Sequence, residues 1–95
     1  ILNRTVCWPT HGNHDGHSAN SDWPAGAYYE AFTLPAQAEA GGVPSGTEAY
    51  YSFDYANVHF ICLNSYNVSN APGSAMLTWL AADLAATQKD WVVAY

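Results

Sequence analysis

Along the 95 residues, apolar positions come in short runs separated by stretches of Gly, Asn, Ser and Pro. Thr5-Val6-Cys7-Trp8-Pro9 is β-branched and aromatic and stops at a proline, which predicts a strand. From Thr10 to Asp22 there is almost no apolar content, so a loop is expected. Ala27-Tyr28-Tyr29-Glu30-Ala31-Phe32 is expected to hold a helical turn that ends before Pro35. Residues 36–48 are Ala, Gly, Pro, Ser and Glu in the main, the composition of a mobile connector.

Periodicity is clearest in the second half. Between Ala49 and Tyr55, the positions Tyr51, Phe53 and Tyr55 alternate with Tyr50, Ser52 and Asp54, which predicts a strand. Val58 to Leu63 follows after Ala56-Asn57, a two-residue gap that predicts a hairpin with Asn57 at positive φ. A polar loop then spans Asn64 to Gly73. Ser74 stands at an N-cap position, and Met76, Leu77, Leu80 and Leu84 recur at helical spacing, predicting a helix to about Gln88 with that stripe as core. Trp91-Val92-Val93-Ala94-Tyr95 is expected to be a buried strand. The order implies a mixed α/β (α+β) architecture: a hairpin, one main helix packed on a sheet, and a terminal strand.

Composition narrows the function classes. The chain is 49% apolar and 15% aromatic, with 11% charged against a usual share of about 25%, so a folded domain is expected rather than disorder. Two basic residues, Arg4 and Lys89, stand against eight acidic ones for a net charge of -6. A partner that is nucleic acid is therefore not expected, because phosphate backbones call for clustered Lys and Arg. No apolar run approaches the roughly 18 residues of a membrane span, and no membrane partner is expected. The opening Ile1, the absence of a leader pattern and the apolar C-terminal run predict a piece of a longer protein. Cys7 and Cys62 fit either one disulfide or two buried thiols, and their apolar settings favour thiols. Asn3-Arg4-Thr5 and Asn67-Val68-Ser69 match the glycosylation acceptor pattern. The sparse charge and abundant Tyr and Trp are compatible with an extracellular or periplasmic location.

The densest polar cluster is His11-Gly12-Asn13-His14-Asp15-Gly16-His17, directly after the first predicted strand. Its two glycines let the backbone approach a ligand closely. A carboxamide oxygen such as that of Asn13 can ligate a divalent cation. An adjacent imidazole such as that of His14 can donate to an anion or protonate a leaving group near neutral pH. Elsewhere, His59 is expected to be packed and hydrogen-bonded to a neighbour on the face that carries Ile61 and Leu63. Asp54 and Asp83 read as exposed charges, and Tyr50, Tyr51 and Tyr55 as cross-strand packing.

At Gly12-Asn13-His14-Asp15 the chain resembles the calcineurin-like metallophosphoesterases, most closely the purple acid phosphatase-like branch. Other segments are similar in the family's order: Tyr28 to Pro35, the hairpin Tyr50 to Ser65, and Trp79 to Leu84 ahead of Trp91 to Tyr95. The resemblance implies that residues 1–95 are a partial metallophosphoesterase catalytic domain acting on phosphate esters, monoesters foremost. It implies that Asn13 ligates one ion of a two-metal centre (Fe, Zn or Mn), with His14 facing the substrate phosphate and Asp15 orienting its neighbours. It assigns no role to His11 or His17, which as loop imidazoles remain weaker candidates for metal binding. The family's other ligand blocks, upstream and downstream, are not present, so the chain alone is expected to be inactive.

Two rival readings use the same residues. One is a small extracellular carbohydrate-binding or interaction module whose rings stack on sugars and whose His-rich loop is incidental. The other is a fragment that self-associates through unpaired strand edges.

Overall fold

The computed structural model describes residues 4–95, so the acceptor pattern that begins at Asn3 falls partly outside the described residues. The architecture is mixed α/β: two sheets, one main helix and a terminal strand. A two-residue ladder joins β1 (Ala19–Asn20) to β2 (Ala25–Gly26), and the short helix α1 (Ala27–Ala31) follows at once. The main sheet has the order β3 (Tyr51–Tyr55), β4 (Val58–Cys62) and β5 (Trp91–Ala94), with α2 (Ala75–Ala86) connecting β4 to β5. β3 and β4 are antiparallel in the register Phe53 opposite Phe60, and β5 runs parallel to β4 with Val92 beside His59.

This register sorts the side chains. One face carries Tyr51, Phe53 and Tyr55 with Phe60 and Cys62; on it Trp8 stacks on Phe53 at 4.2 Å and Phe53 on Phe60 at 4.9 Å. The other face carries Ser52, Asp54, His59 and Ile61, and α2 lies across it. α2 begins where expected, because the Ser74 hydroxyl accepts from Leu77 N at 3.5 Å and caps an otherwise unpaired donor.

Its buried face differs from the predicted leucine stripe. Met76, Trp79 and Asp83 are inside, whereas Leu77 and Leu80 are half-buried and Leu84 is 46% exposed. Spacings of three and four select Met76, Trp79 and Asp83 as one stripe, rotated from the leucines. Trp79 turns the helix that way: its ring lies 5.1 Å from Tyr50 and its Nε1 donates to Val43 O at 2.8 Å.

Other expectations are corrected as well. Thr5 to Pro9 forms no strand, because its carbonyls are taken by side-chain hydroxyls rather than by a ladder: Tyr95 donates to Trp8 O, and Tyr28 and Tyr51 donate to Pro9 O. Cys7 is consequently exposed, and neither it nor the buried Cys62 is in a disulfide. The hairpin turn places Ala56, not Asn57, at positive φ (51°). Asn57 instead receives β5, accepting from Trp91 N at 3.2 Å and donating to Asp90 at 3.3 Å. β5 is exposed along its whole length, since it forms the edge of the sheet and none of the described residues covers it.

The stretch 36–48 is folded back onto the domain rather than left as a free connector. Glu48 accepts from Leu34 N at 2.9 Å, Ala40 O from Asp54 N at 2.8 Å, and Asp83 from Val43 N at 2.7 Å. Gly42 makes that last approach possible. Its φ is +84°, and a Cβ there would collide with the Ser52 hydroxyl and stand 2.9 Å from Asp83 Oδ1. Gly46, at φ +73°, has open space around it.

Both substitutions to alanine incur the left-handed backbone penalty of about 1–2 kcal/mol, but only one meets a wall. Gly42→Ala is expected to lower stability beyond Gly46→Ala by about 1–3 kcal/mol, read from urea unfolding of the two variants side by side. Trp79→Ala is expected to cost about 3–5 kcal/mol in the same measurement.

Candidate active site

The polar loop is held from below at its entry. Pro9 O accepts from Tyr51 OH at 2.6 Å and Tyr28 OH at 3.1 Å, with Cys62 Sγ at 3.5 Å. Trp8 O accepts from Tyr95 OH at 3.0 Å, and Thr10 Oγ1 donates to Leu63 O at 3.3 Å. Three tyrosines from α1, β3 and the end of β5 thus converge on two successive carbonyls. Burial raises the pKa of all three tyrosines, so the hydroxyls keep the protons that make these bonds. Burial likewise raises that of the Cys62 thiol and leaves it a poor nucleophile.

Beyond this anchor the chain does not wander as a plain loop. Gly12 N donates to Asp15 Oδ2 at 2.9 Å, and Gly16 N to Gly12 O at 3.2 Å. A 3-10 turn over Asp15–His17 continues the coil, with Ser18 N bonded to Asp15 O at 3.0 Å. The Asp15 carboxylate thereby closes a ring around Gly12-Asn13-His14 and leaves Asn13 and His14 exposed at its apex. His17 is exposed too, its ring 6.1 Å from that of His14. Gly16 is needed for packing rather than for ligand approach, because a Cβ there would enter the Tyr66 ring.

His11 departs from the solvated loop residue that its surroundings in sequence imply. It is 6% exposed, edge-on to Tyr28 at 5.1 Å and stacked on Tyr29 at 6.0 Å, and neither ring nitrogen has a hydrogen-bond partner among the described residues. Behind it a buried network ties the two loops of this end together. Ser21 Oγ donates to Asn67 Oδ1 at 2.8 Å, accepts from Asn64 Nδ2 at 3.1 Å and shares a 2.7 Å bond with Tyr29 OH. Asn64 also donates to Asn67 and accepts from the Tyr66 and Asn67 amides.

The turn therefore brings Asn13, His14 and Asp15 together, with His17 beside them and His11 beneath. Sequence reasoning missed the tyrosine anchor and the Ser21-Asn64-Asn67 network. Both join residues more than forty positions apart in part, and no local pattern marks such pairs. Asn13 offers one amide oxygen to a cation, and among the described residues no group of three or more His, Cys, Asp or Glu is placed to hold a metal ion. The residues present do not make a metal site by themselves.

The chain is similar to purple acid phosphatase 23 of Arabidopsis thaliana, 36% identical over 86 residues. The match covers 87% of this chain and 18% of that protein, so the chain spans about a fifth of its relative's length. No family model matches the chain. No solved structure matches it.

Tyr51→Phe is expected to cost about 1 kcal/mol, since Tyr28 still serves Pro9 O. Removing both hydroxyls in the double variant leaves that carbonyl with only a thiol, and the combined loss is expected to exceed the sum of the singles. Urea unfolding of the two single variants and the double variant checks this.

Proposed function

We propose that the chain is a segment of a metal-dependent phosphoesterase that hydrolyses phosphate esters, monoesters foremost. The observation that carries this reading is the ring closed by Asp15 on Gly12 N, which presents Asn13 and His14 outward together. The similarity to a purple acid phosphatase across 87% of the chain supports it.

In this reading Asn13 contributes one amide oxygen to a two-metal centre of Fe, Zn or Mn, whose remaining ligands come from outside these residues. Such ions, when bound, neutralise phosphate charge and acidify water. The chain's own residues do the rest of what can be assigned to it. His14 faces the substrate phosphate and donates a hydrogen bond or a proton to the leaving oxygen, a role its exposed position at the apex permits. Asp15 acts through the loop, holding Gly12 so that its two neighbours keep their directions. The chain alone, without three metal-binding side chains in one place among its described residues, is inactive in this reading. A location outside the cytosol accompanies it, supported by the low content of charged residues.

One feature favours the carbohydrate-binding alternative. A groove of about 610 Å³ is lined by Val6, Trp8, Tyr55 and Phe60 together with Arg4 and Asp54, and such rings can stack on sugars. Saturable sugar binding, together with a parent protein that lacks phosphatase activity under any metal, would favour it.

Hydrolysis of p-nitrophenyl phosphate by the intact protein is expected to be abolished by a chelator and by Asn13→Ala. His14→Ala is expected to lower kcat by about 10²–10⁴-fold. Full activity in the Asn13 variant would reduce the loop to a turn.

A further inference from the structure

Away from the polar loop, the face of the sheet beneath α2 joins three ionisable side chains, of which His59 and Asp83 are fully buried and Asp54 is half-buried. His59, fully buried on β4, has Nδ1 2.7 Å from Asp54 Oδ1 and Nε2 2.8 Å from Asp83 Oδ2. Asp83, also fully buried, further accepts from Ser52 Oγ at 3.0 Å and Val43 N at 2.7 Å. Lys89, in the segment after α2, lies 3.7 Å from the other oxygen of Asp54 and donates to Ala56 O at 3.0 Å. The ionisable groups facing His59 are therefore Asp54 from β3 and Asp83 from α2, with Lys89 behind Asp54.

A neutral imidazole carries one N–H and one lone pair. Between two carboxylates, one of its nitrogens would direct a lone pair at another lone pair. An imidazolium donates at both ends and removes the conflict. With Lys89 the cluster then holds two negative and two positive charges, the balance that makes buried ions tolerable.

We propose that Asp54, His59 and Asp83 form a pH-sensitive latch, in which a protonated His59 fastens α2 to the β3–β4 hairpin and loss of its proton frees the C-terminal half of the helix. Burial by itself lowers the pKa of His59, but the hydrogen bonds and charges of Asp54 and Asp83 outweigh it and leave the value raised above the ordinary 6.5. The folded state thus holds this proton more tightly than the unfolded chain does. The stabilisation is whole below about pH 6.5 and is lost as pH climbs through the folded-state value. A pocket of about 220 Å³ lined by Asp54, His59, Thr87 and Lys89 opens beside the cluster. The latch does not depend on the phosphoesterase reading.

Long-range ¹H–¹⁵N NMR of the histidines, in the whole chain and in the intact protein, tests it directly. The titration midpoint of His59 is expected above 6.5, with both nitrogens protonated below it and one proton lost above it. The urea midpoint should fall over the same interval, by about a tenfold loss in the folding constant for each unit of pKa elevation. His59→Gln should abolish that part of the pH dependence. Asp54→Asn, at the more exposed end, should move the titration of His59 to lower pH and serves if the first variant does not fold. A His59 midpoint at or below about 6.5 overturns the proposal. So does a titration that leaves the urea midpoint unchanged, or one that Asp54→Asn leaves in place.

Discussion

The carboxylate of Asp83 ties the main helix to three other parts of the molecule. From the third turn of α2 it reaches the amide of Val43, the hydroxyl of Ser52 and the ring of His59. Those three groups lie on the folded-back stretch 36–48, on β3 and on β4. A buried charge is costly unless every lone pair is used, and here the cost is offset by three donors on three different elements. Because the donors are spread in this way, the carboxylate is satisfied only when helix, hairpin and loop are all in place. That is a demand for one arrangement rather than for compactness, and it explains why Gly42 must sit where no Cβ fits.

The polar loop depends on the opposite face of the same sheet. Tyr51 on β3, Tyr28 on α1 and Tyr95 after β5 hold the carbonyls of Trp8 and Pro9 from three directions. Only after that anchor does the chain enter the ring closed by Asp15. The loop is thus polar at its tip and bonded at its root to three tyrosines, of which Tyr28 and Tyr51 are buried. Exposed chemistry needs a rigid base if its side chains are to keep a direction, and here tyrosine hydroxyls supply it. His11 sits at the junction, packed between aromatic rings with its nitrogens unpaired among the described residues, whereas Asn13 and His14 two and three residues later face solvent.

Much was legible in the residues alone. Alternation over Tyr51 to Tyr55 placed the hairpin and sorted its two faces, because the strand period is two wherever one side is covered. Ser74 marked the start of α2 by its capping hydroxyl. The expectation of a packed His59 was met, and Gly12-Asn13-His14-Asp15 was recognisable as a cluster. The rest was hidden for a common reason. Asp83 read as an exposed charge because a carboxylate on a helix is usually solvated, and the partners that bury it are 24, 31 and 40 residues away. Leu84 read as core because leucines at helical spacing usually are, yet Trp79 sets a different stripe.

What the sequence by itself determined is therefore local: which residues share a face, where a helix can start, where a turn can form, and which polar residues are gathered in one loop. These follow from periods, caps and backbone preferences acting over a few positions. Only the tertiary structure decided which face is covered, which acid is inside, and that Thr5 to Pro9 is anchored by tyrosines instead of joining a sheet. Such choices depend on partners distant along the chain. A side chain's burial is a property of what lies across from it, and no local pattern carries that information.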